Sequence, residues 1–442
     1  MSTSIFDSSI YADLFPSGEA QRLFTDSAVI RAMLLVEGAL AHTQGQLGVI
    51  PEPSAKAIHR ASLEVQIDPN TLTASTSQNG VPVPALVAAF RSEMNGSEHA
   101  QYIHWGATSQ DIMDTALMLT LRQTLVLFEH DVRVLIRNLG DLALTHAEVP
   151  MAARTWGQHA TPTSFGAVAA SWGTPLLAVL DELPALRETS LLVSLSGAAG
   201  TSAELGPNAA KLRAELANAL GLHDPQRSWH TDRAPLLSIA GWMNRCVIAL
   251  AKMAEDVLSL TQTELAEVIL CDAGASSTMP QKQNPVGPSV ISALAVQTSS
   301  ASGALHAGSL QRHQRDGAAW ITEWVILPQI VLGTAAALQQ AVALTASLEP
   351  NIPKMRADLA LGLGTIHAEA LSFALAAKMP RPDAQAEAKM LCKTALDEDR
   401  QLEEVARAAY PDLAADLFDP PSQLGLAPAE ARAFASRVRQ LN

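Results

Sequence analysis

The sequence predicts an all-α protein, and three observations carry that prediction: one uninterrupted helical run of 39 residues, three long stretches without a charged residue, and a scarcity of strand signals. The first runs from Asp111 to Val149 with no proline and one glycine. Ala116, Leu117, Leu121, Leu125, Val132, Leu135, Leu139 and Leu142 recur along it at the spacing of one helix face. At about 1.5 Å per residue the helix spans about 60 Å, far beyond an ordinary globular helix. Thr108 or Ser109 stands where a cap is needed, and Asp111 falls in the first turn, at the positive end of the helix dipole.

The uncharged stretches are Thr155 to Leu180, Gln283 to Gln311 and Trp324 to Leu348. Helices neutral all round belong in the middle of a large bundle, and three in one chain point to subunits that pack their helices together as a homo-oligomer. Their length suits membrane spans, but Pro162, Pro175, Pro285, Pro288 and Pro328 interrupt them and Gln, Ser, Thr and His are frequent, so no membrane association is expected. Alternating β-branched runs bounded by turns are hard to find, and aromatics make up 4% of the chain.

Three helical domains are expected: an N-terminal one over 1–110, a central long-helix bundle over 111–350 with a polar loop at 271–288, and a small C-terminal one over 351–442. Pro51, Pro53 and the Ser/Thr-rich run Thr71 to Pro84 punctuate the first; Pro380, Pro382, Pro411 and the pair Pro420-Pro421 break the last.

The bulk numbers narrow the function. A chain of 442 residues with 48% hydrophobic content buries a large core. A formal net charge of -14 gives no broad basic surface, which argues against nucleic acid and requires a locally positive pocket for any anionic substrate. Cys246, Cys271 and Cys392 are too scattered for a disulfide framework or a zinc site. Asp7 and Asp13 and the lack of a basic-then-apolar start do not fit a signal peptide, so a cytoplasmic location is expected.

Four segments carry candidate chemistry. Gly274-Ala-Ser-Ser-Thr-Met-Pro-Gln-Lys-Gln-Asn-Pro285 is a loop dense in polar groups. His104-Trp-Gly-Ala-Thr-Ser-Gln-Asp111 leads into the long helix, where hydroxyls and a helix N-terminus can receive a carboxylate. His313-Gln-Arg-Asp316 supplies Arg315, whose planar fork matches a carboxylate, and Arg154-Thr-Trp-Gly-Gln-His-Ala-Thr-Pro162 opens the first neutral stretch. From the residues alone, plainer roles stay open. Ser109 caps the helix, His104 is a satisfied buried histidine, Arg315 forms a helix-end ion pair, and His159 and Trp156 are core residues.

The first of these segments closely resembles the GSSxMPxKxNP signature of the fumarase/aspartase superfamily, with Ala275 intervening between Gly274 and the serine pair. The second is similar to the superfamily's HxGxTSxD segment, the third to its HERD segment with glutamine for glutamate, and Ser196-Gly-Ala-Ala-Gly-Thr-Ser-Ala203 to a loop joining its central helices. The resemblance implies Ser276 as the proton carrier, with Lys282, Asn284, Thr108, Ser109, His104 and Arg315 binding substrate. It also implies an all-α homotetramer with a multi-helix core, active sites shared between subunits, and neither a metal nor an organic cofactor. A serine hydroxyl is a weak base, so its alkoxide needs backbone N–H groups and positive charge such as that of Lys282.

The fourth segment resembles the superfamily's RTHxQxA segment but departs from it, since Trp156 stands where relatives carry a catalytic histidine. Ser289 stands where they carry that histidine's glutamate partner. Gln158 keeps the glutamine and is a candidate substrate ligand; His159 is a candidate charge partner in place of the missing histidine. Elimination of water or an amine needs an acid at the leaving group, whereas a carboxylate leaves or adds as a stable anion of pKa about 4. The double loss therefore points to the superfamily's cycloisomerase branch, in which a carboxylate of 3-carboxy-cis,cis-muconate adds within the molecule to a double bond, in the protocatechuate arm of aromatic catabolism. An adenylosuccinate-lyase-like elimination and a non-catalytic scaffold protein are the alternatives. The expected partners are a small polycarboxylate substrate and further copies of the chain.

Overall fold

Helical periodicity dominates the chain, and a computed structural model, which describes residues 4–95, 97–271, 274–275, 278–279 and 282–441, turns it into sixteen α-helices and three two-stranded sheets among those residues. The expected all-α class holds. Five helices come first: α1 (Gly18–Arg22), α2 (Asp26–Gln46), α3 (Glu52–Glu64), α4 (Thr73–Asn79) and α5 (Val83–Glu93). The long α6 (Ser109–Thr145) is followed by strands β1 (Pro150–Thr155) and β2 (Gln158–Ser164), then by α7 (Phe165–Ser190), α8 (Ala209–Leu220) and α9 (Ala234–Leu260). Strands β3 (Val268–Leu270), β4 (Gly274–Ala275) and β5 (Gln283–Asn284) precede α10 (Val286–Gly308), α11 (Gly317–Ser347) and β6 (Leu348–Pro350). The chain ends in α12 (Ile352–Leu359), α13 (Ala368–Ala376), α14 (Arg381–Asp397), α15 (Leu402–Ala409) and α16 (Ala427–Arg439). All three sheets are antiparallel, pairing β1 with β2, β3 with β6 and β4 with β5.

The expected long helix is present over 37 residues, and its apolar stripe is the buried one: Leu121, Leu125, Val132, Leu135 and Leu139 are wholly excluded from solvent. Each such side chain contributes about 1.5–3 kcal/mol of burial. The chain packs as two units, one of Met1–Asp131, Val179–Ile248 and Ala293–Gln339, the other of Val132–Ala178, Ala249–Ser292 and Gln340–Asn442. In the first, the buried Trp229 and Trp242 donate their indole N–H groups to the carbonyls of Val193 at 2.9 Å and Val179 at 2.8 Å, so neither leaves a donor unsatisfied. In the second, Trp172 donates to Asp256 Oδ2 at 2.7 Å, and Leu371, Leu375, Leu391 and Leu402 form the core of the C-terminal helices.

The neutral stretches resolve differently from one another. Trp324 to Leu348 lies almost wholly within α11, which accommodates Pro328 and buries Ile330, Val331, Ala336, Ala337, Leu338 and Ala341 completely. The helices α9 and α11 are long and apolar enough to cross a membrane, and more than half of each apolar window is buried in the protein's own packing. The stretch from Thr155 to Leu180 begins as a hairpin, not as helix. Trp156 and Gly157, with φ of 56° and 74°, form its two-residue turn, since paired left-handed residues match the twist of the flanking strands. A tryptophan in place of the usual Asn or Asp at the first turn position hid that turn from the sequence pattern.

Candidate active site

The first unit builds its site around the N-terminus of α6. Before the helix begins, the backbone turns through left-handed conformations at His104 (φ 65°) and Gly106 (φ 73°). Gly106 is required on two counts, because a Cβ there would also lie 2.7 Å from Leu205 Cδ2 and 3.1 Å from the carbonyl oxygen of Glu204. Thr108 then takes the cap position: its carbonyl accepts from Ile112 at 3.4 Å, and its N–H donates to Asp111 Oδ2 at 3.1 Å. Ser109 is the first helical residue, so the cap contact runs from the Asp111 carboxylate back to the Thr108 backbone.

Asp111, fully buried, holds much more than its own helix end. Oδ1 accepts the Ser196 N–H at 2.8 Å and the Ser194 hydroxyl at 3.1 Å and pairs with His230 Nε2 at 2.8 Å, while Oδ2 accepts the Gly197 N–H at 2.9 Å. The loop that begins at Ser196, which resembled a superfamily segment, is thus fastened to the start of α6 by one carboxylate. His104 pairs through Nδ1 with Glu37 Oε1 at 2.6 Å, and that carboxylate is 1% exposed. Burial alone would lower the His104 pKa; the hydrogen bond and charge of Glu37 and the charge of Asp111 outweigh it and raise the pKa above the usual histidine value. His104 is therefore a satisfied, cation-favouring histidine at the mouth of the helix.

Arg315 joins this cluster. Its Nε donates to Gln110 Oε1 at 2.7 Å, across 205 residues of sequence, and its Nη2 is buried with no partner among the described residues. The helix-end ion pair belongs to its neighbours instead: Arg312 pairs with Asp316, whose Oδ1 accepts the N–H groups of Ala318 at 3.0 Å and Ala319 at 3.2 Å at the start of α11. Beneath Gln110 lies a buried ion triad in which Arg233 bridges Asp114, at 2.8 and 3.1 Å, and Glu323, at 2.7 Å twice, with its guanidinium over the Trp229 ring. Burial drives the Glu323 carboxyl above its ordinary value, opposed by Arg233 and reinforced by the charge of Asp114. Thr108 and Arg315 are thus linked through Asp111, His230 and Gln110, with Ser109 next in the first turn and His104 near enough to feel the Asp111 charge. Arg315 offers the charge-assisted donor a carboxylate takes.

The second unit presents its candidates differently. On the β1–β2 hairpin, Thr155 faces Gln158 and Arg154 faces His159. Gln158 and His159 are exposed, with His159 Nε2 3.4 Å from Arg154 Nη2, so His159 is not a core residue. Arg154 itself is committed to the fully buried Glu267 at 2.6 Å, which ties the hairpin to β3. Trp156 is fully exposed at the tip, which corrects the expectation of a core residue. Lys282 is exposed just before β5, and Asn284 is half-buried on the β4–β5 pair; Ser276 lies outside the described residues. At the position of the missing glutamate, the Ser289 hydroxyl donates to the Pro285 carbonyl at 2.7 Å.

Sequence reasoning passed over Glu37, Gln110 and His230, and treated Asp111 only as a first-turn acid. Gln110 and Asp111 stood inside a recognised motif and were available to be singled out; Glu37 and His230 lie 67 and 119 residues from their partners and carried no local signal.

The pattern of the Lyase family matches residues 16–299. The chain is 36% identical over 437 residues to a 3-carboxy-cis,cis-muconate cycloisomerase of Pseudomonas aeruginosa, covering 96% of this chain and 94% of that protein. It is 33% identical over 446 residues to a nitrosuccinate lyase of Streptomyces davaonensis, covering 96% and 94%. The crystal structure of the 3-carboxy-cis,cis-muconate lactonizing enzyme from Pseudomonas putida matches with a TM-score of 0.91 at 32% identity, covering 98% of this chain and 99% of that one. With four motifs, an all-helical fold and near full-length likeness in agreement, the chain belongs to the Lyase family, within the fumarase/aspartase superfamily.

Proposed function

We propose that the chain is a cycloisomerase that lactonises 3-carboxy-cis,cis-muconate to 4-carboxymuconolactone, in the catabolism of aromatic acids through protocatechuate. One observation carries the reading beyond family likeness. At the two positions where amine-eliminating relatives place a histidine and its glutamate, this chain has the exposed indole of Trp156 and the hydroxyl of Ser289, already donated to Pro285. Neither can protonate a leaving group. A reaction in which a carboxylate is nucleophile or leaving group has no such need.

In the proposed reaction one substrate carboxylate oxygen forms a C–O bond to an alkene carbon of the same molecule, the C=C π bond breaks, and the adjacent carbon takes one proton. Ser276 delivers that proton. Before protonation, negative charge spreads from the carbanion into a neighbouring carboxylate. Arg315, the α6 N-terminus with Thr108 and Ser109, and Lys282 and Asn284 stabilise that charge and hold the remaining carboxylates. His104, Gln158 and His159 complete the substrate contacts. Because the nucleophile is internal, holding the diacid chain bent supplies much of the rate.

The enzyme works in the cytoplasm as a homotetramer whose active sites combine segments of several subunits. The exposure of Trp156, Gln158, His159 and Lys282 supports shared sites, since groups that face solvent can be covered by a second subunit.

The test is loss of diene ultraviolet absorbance from 3-carboxy-cis,cis-muconate, run for the wild type and Ser276→Ala, with adenylosuccinate as control substrate. Rapid loss, reduced at least about a hundredfold by Ser276→Ala, is expected for removal of a general acid. Cleavage of adenylosuccinate without lactonisation would overturn the reading in favour of elimination, and inertness toward both in favour of a scaffold protein.

A further inference from the structure

We infer that Gln110 is a positioning residue for the reaction, holding the Arg315 guanidinium in a fixed orientation without neutralising it. Gln110 is 1% exposed in the first turn of α6, and each atom of its amide has an assigned role. Nε2 donates to Asp114 Oδ2 at 3.1 Å and to the His230 carbonyl at 3.0 Å. Both partners are acceptors only, so a flipped amide would set oxygen against two oxygens. Oε1 is thereby forced toward Arg315, whose Nε it accepts at 2.7 Å.

The anchor beneath is rigid. Asp114 receives two bonds from Arg233, which Glu323 grips from its other edge, and all three side chains are at most 2% exposed. A long, flexible arginine side chain is in this way tied through one amide to a buried ion triad, with Nη2 left buried and without a partner among the described residues. Orienting an arginine by a carboxylate is the commoner arrangement, but a carboxylate would occupy the guanidinium fork and cancel its charge. The neutral amide fixes Nε alone and leaves the Nη edge charged and free to grip an anion. This inference rests on the reading of Arg315 as a substrate-carboxylate ligand.

The experiment compares lactonisation kinetics and thermal melting of the wild type, Gln110→Met, Gln110→Glu, Arg315→Gln and the double variant Gln110→Met/Arg315→Gln. Gln110→Met is expected to raise KM about tenfold with kcat changed much less, the scale of one hydrogen bond to a charged group. Gln110→Glu sets a carboxylate against Arg315 but also a second oxygen against Asp114 and the His230 carbonyl. A rise in KM of about a hundredfold from an internal ion pair is therefore expected only where its melting temperature stays near that of Gln110→Met. In the Arg315→Gln background, Gln110→Met is expected to change KM less than about twofold, because its effect runs through the arginine.

An unchanged KM in Gln110→Met overturns the inference, and so does the same tenfold loss in the double variant as in the single one, which would place the role of Gln110 elsewhere. If Arg315→Gln itself keeps wild-type KM and kcat, the assignment of Arg315 fails first. Loss in Arg315→Gln with none in Gln110→Met refutes the positioning role alone. A drop in melting temperature without a KM change marks a purely structural glutamine and also refutes it.

Discussion

Around the start of α6, candidate residues are half-buried and held by fully buried partners, Glu37, Gln110 and Asp111; on the β1–β2 hairpin and beside the β4–β5 pair, most are exposed and have few partners among the described residues. Asp111 alone gathers five polar partners from three segments, and Arg315 reaches the same region through Gln110. Trp156, Gln158, His159 and Lys282 face solvent, and the ion pair of Arg154 with the buried Glu267 holds the strand two residues before Trp156 while the indole itself stays exposed. The first region is preorganised by its own unit, which is what a site for a charged intermediate requires. The second has a paired backbone and side chains with few partners among the described residues.

If that contrast is right, the largest effect belongs to Asp111. In Asp111→Asn one oxygen becomes an NH2 group facing donors, so at least one of Ser194, Ser196, Gly197, Thr108 and His230 loses its acceptor inside the protein. The expected loss is about 3–5 kcal/mol of unfolding free energy, comparable to breaking a buried charged pair, with early loss of hydrogen-exchange protection at the Ser196 and Gly197 amides. Urea unfolding checks it. A loss below about 1 kcal/mol, the value of an ordinary hydrogen bond, would show that the loop is held by packing instead of by this carboxylate.

A smaller effect separates the regions by pH. The His104 pKa is raised in the folded state, so the stability contributed by its pairing with Glu37 is fully present below the unfolded value of about 6.5 and is lost as pH rises through the higher folded value. Unfolding free energy should therefore fall with rising pH across that window in the wild type, and the slope should flatten in Glu37→Gln. Imidazole NMR titration gives the direct readout: a His104 midpoint at or below the ordinary histidine value would contradict the pairing as the dominant influence.

What the sequence disclosed follows the same division. The extent of α6, buried at Leu121, Leu125 and Leu135, was legible because a 3.6-residue period is local information. Thr108 and Ser109 were legible because motif order is local too. Glu37, His230 and the tether from Gln110 to Arg315 were not, because their contacts close loops of 67 to 205 residues and no spacing rule connects the partners. The hairpin was missed for a different reason: its turn depends on two left-handed residues, and a Trp-Gly pair does not advertise them as Asn-Gly would.

Trp156 offers the smallest effect on stability and the sharpest contrast with function. A bulky L-residue at φ 56° is strained, and an indole fully exposed to water returns nothing from packing. Folding of the single unit would be served better by asparagine, which accepts that conformation readily in a two-residue turn. Trp156→Asn is therefore expected to leave unfolding free energy within about 0.5 kcal/mol of wild type, or to raise it slightly. If the hairpin tip serves a shared active site, the same substitution should lower lactonisation about tenfold, the scale of one lost aromatic contact. Stability and turnover would then move in opposite directions, as they should where a residue is kept for a surface its own unit does not supply. Equal losses in both would instead mean that the indole packs against its own chain in solution, and an unchanged turnover would leave the hairpin tip outside the reaction altogether.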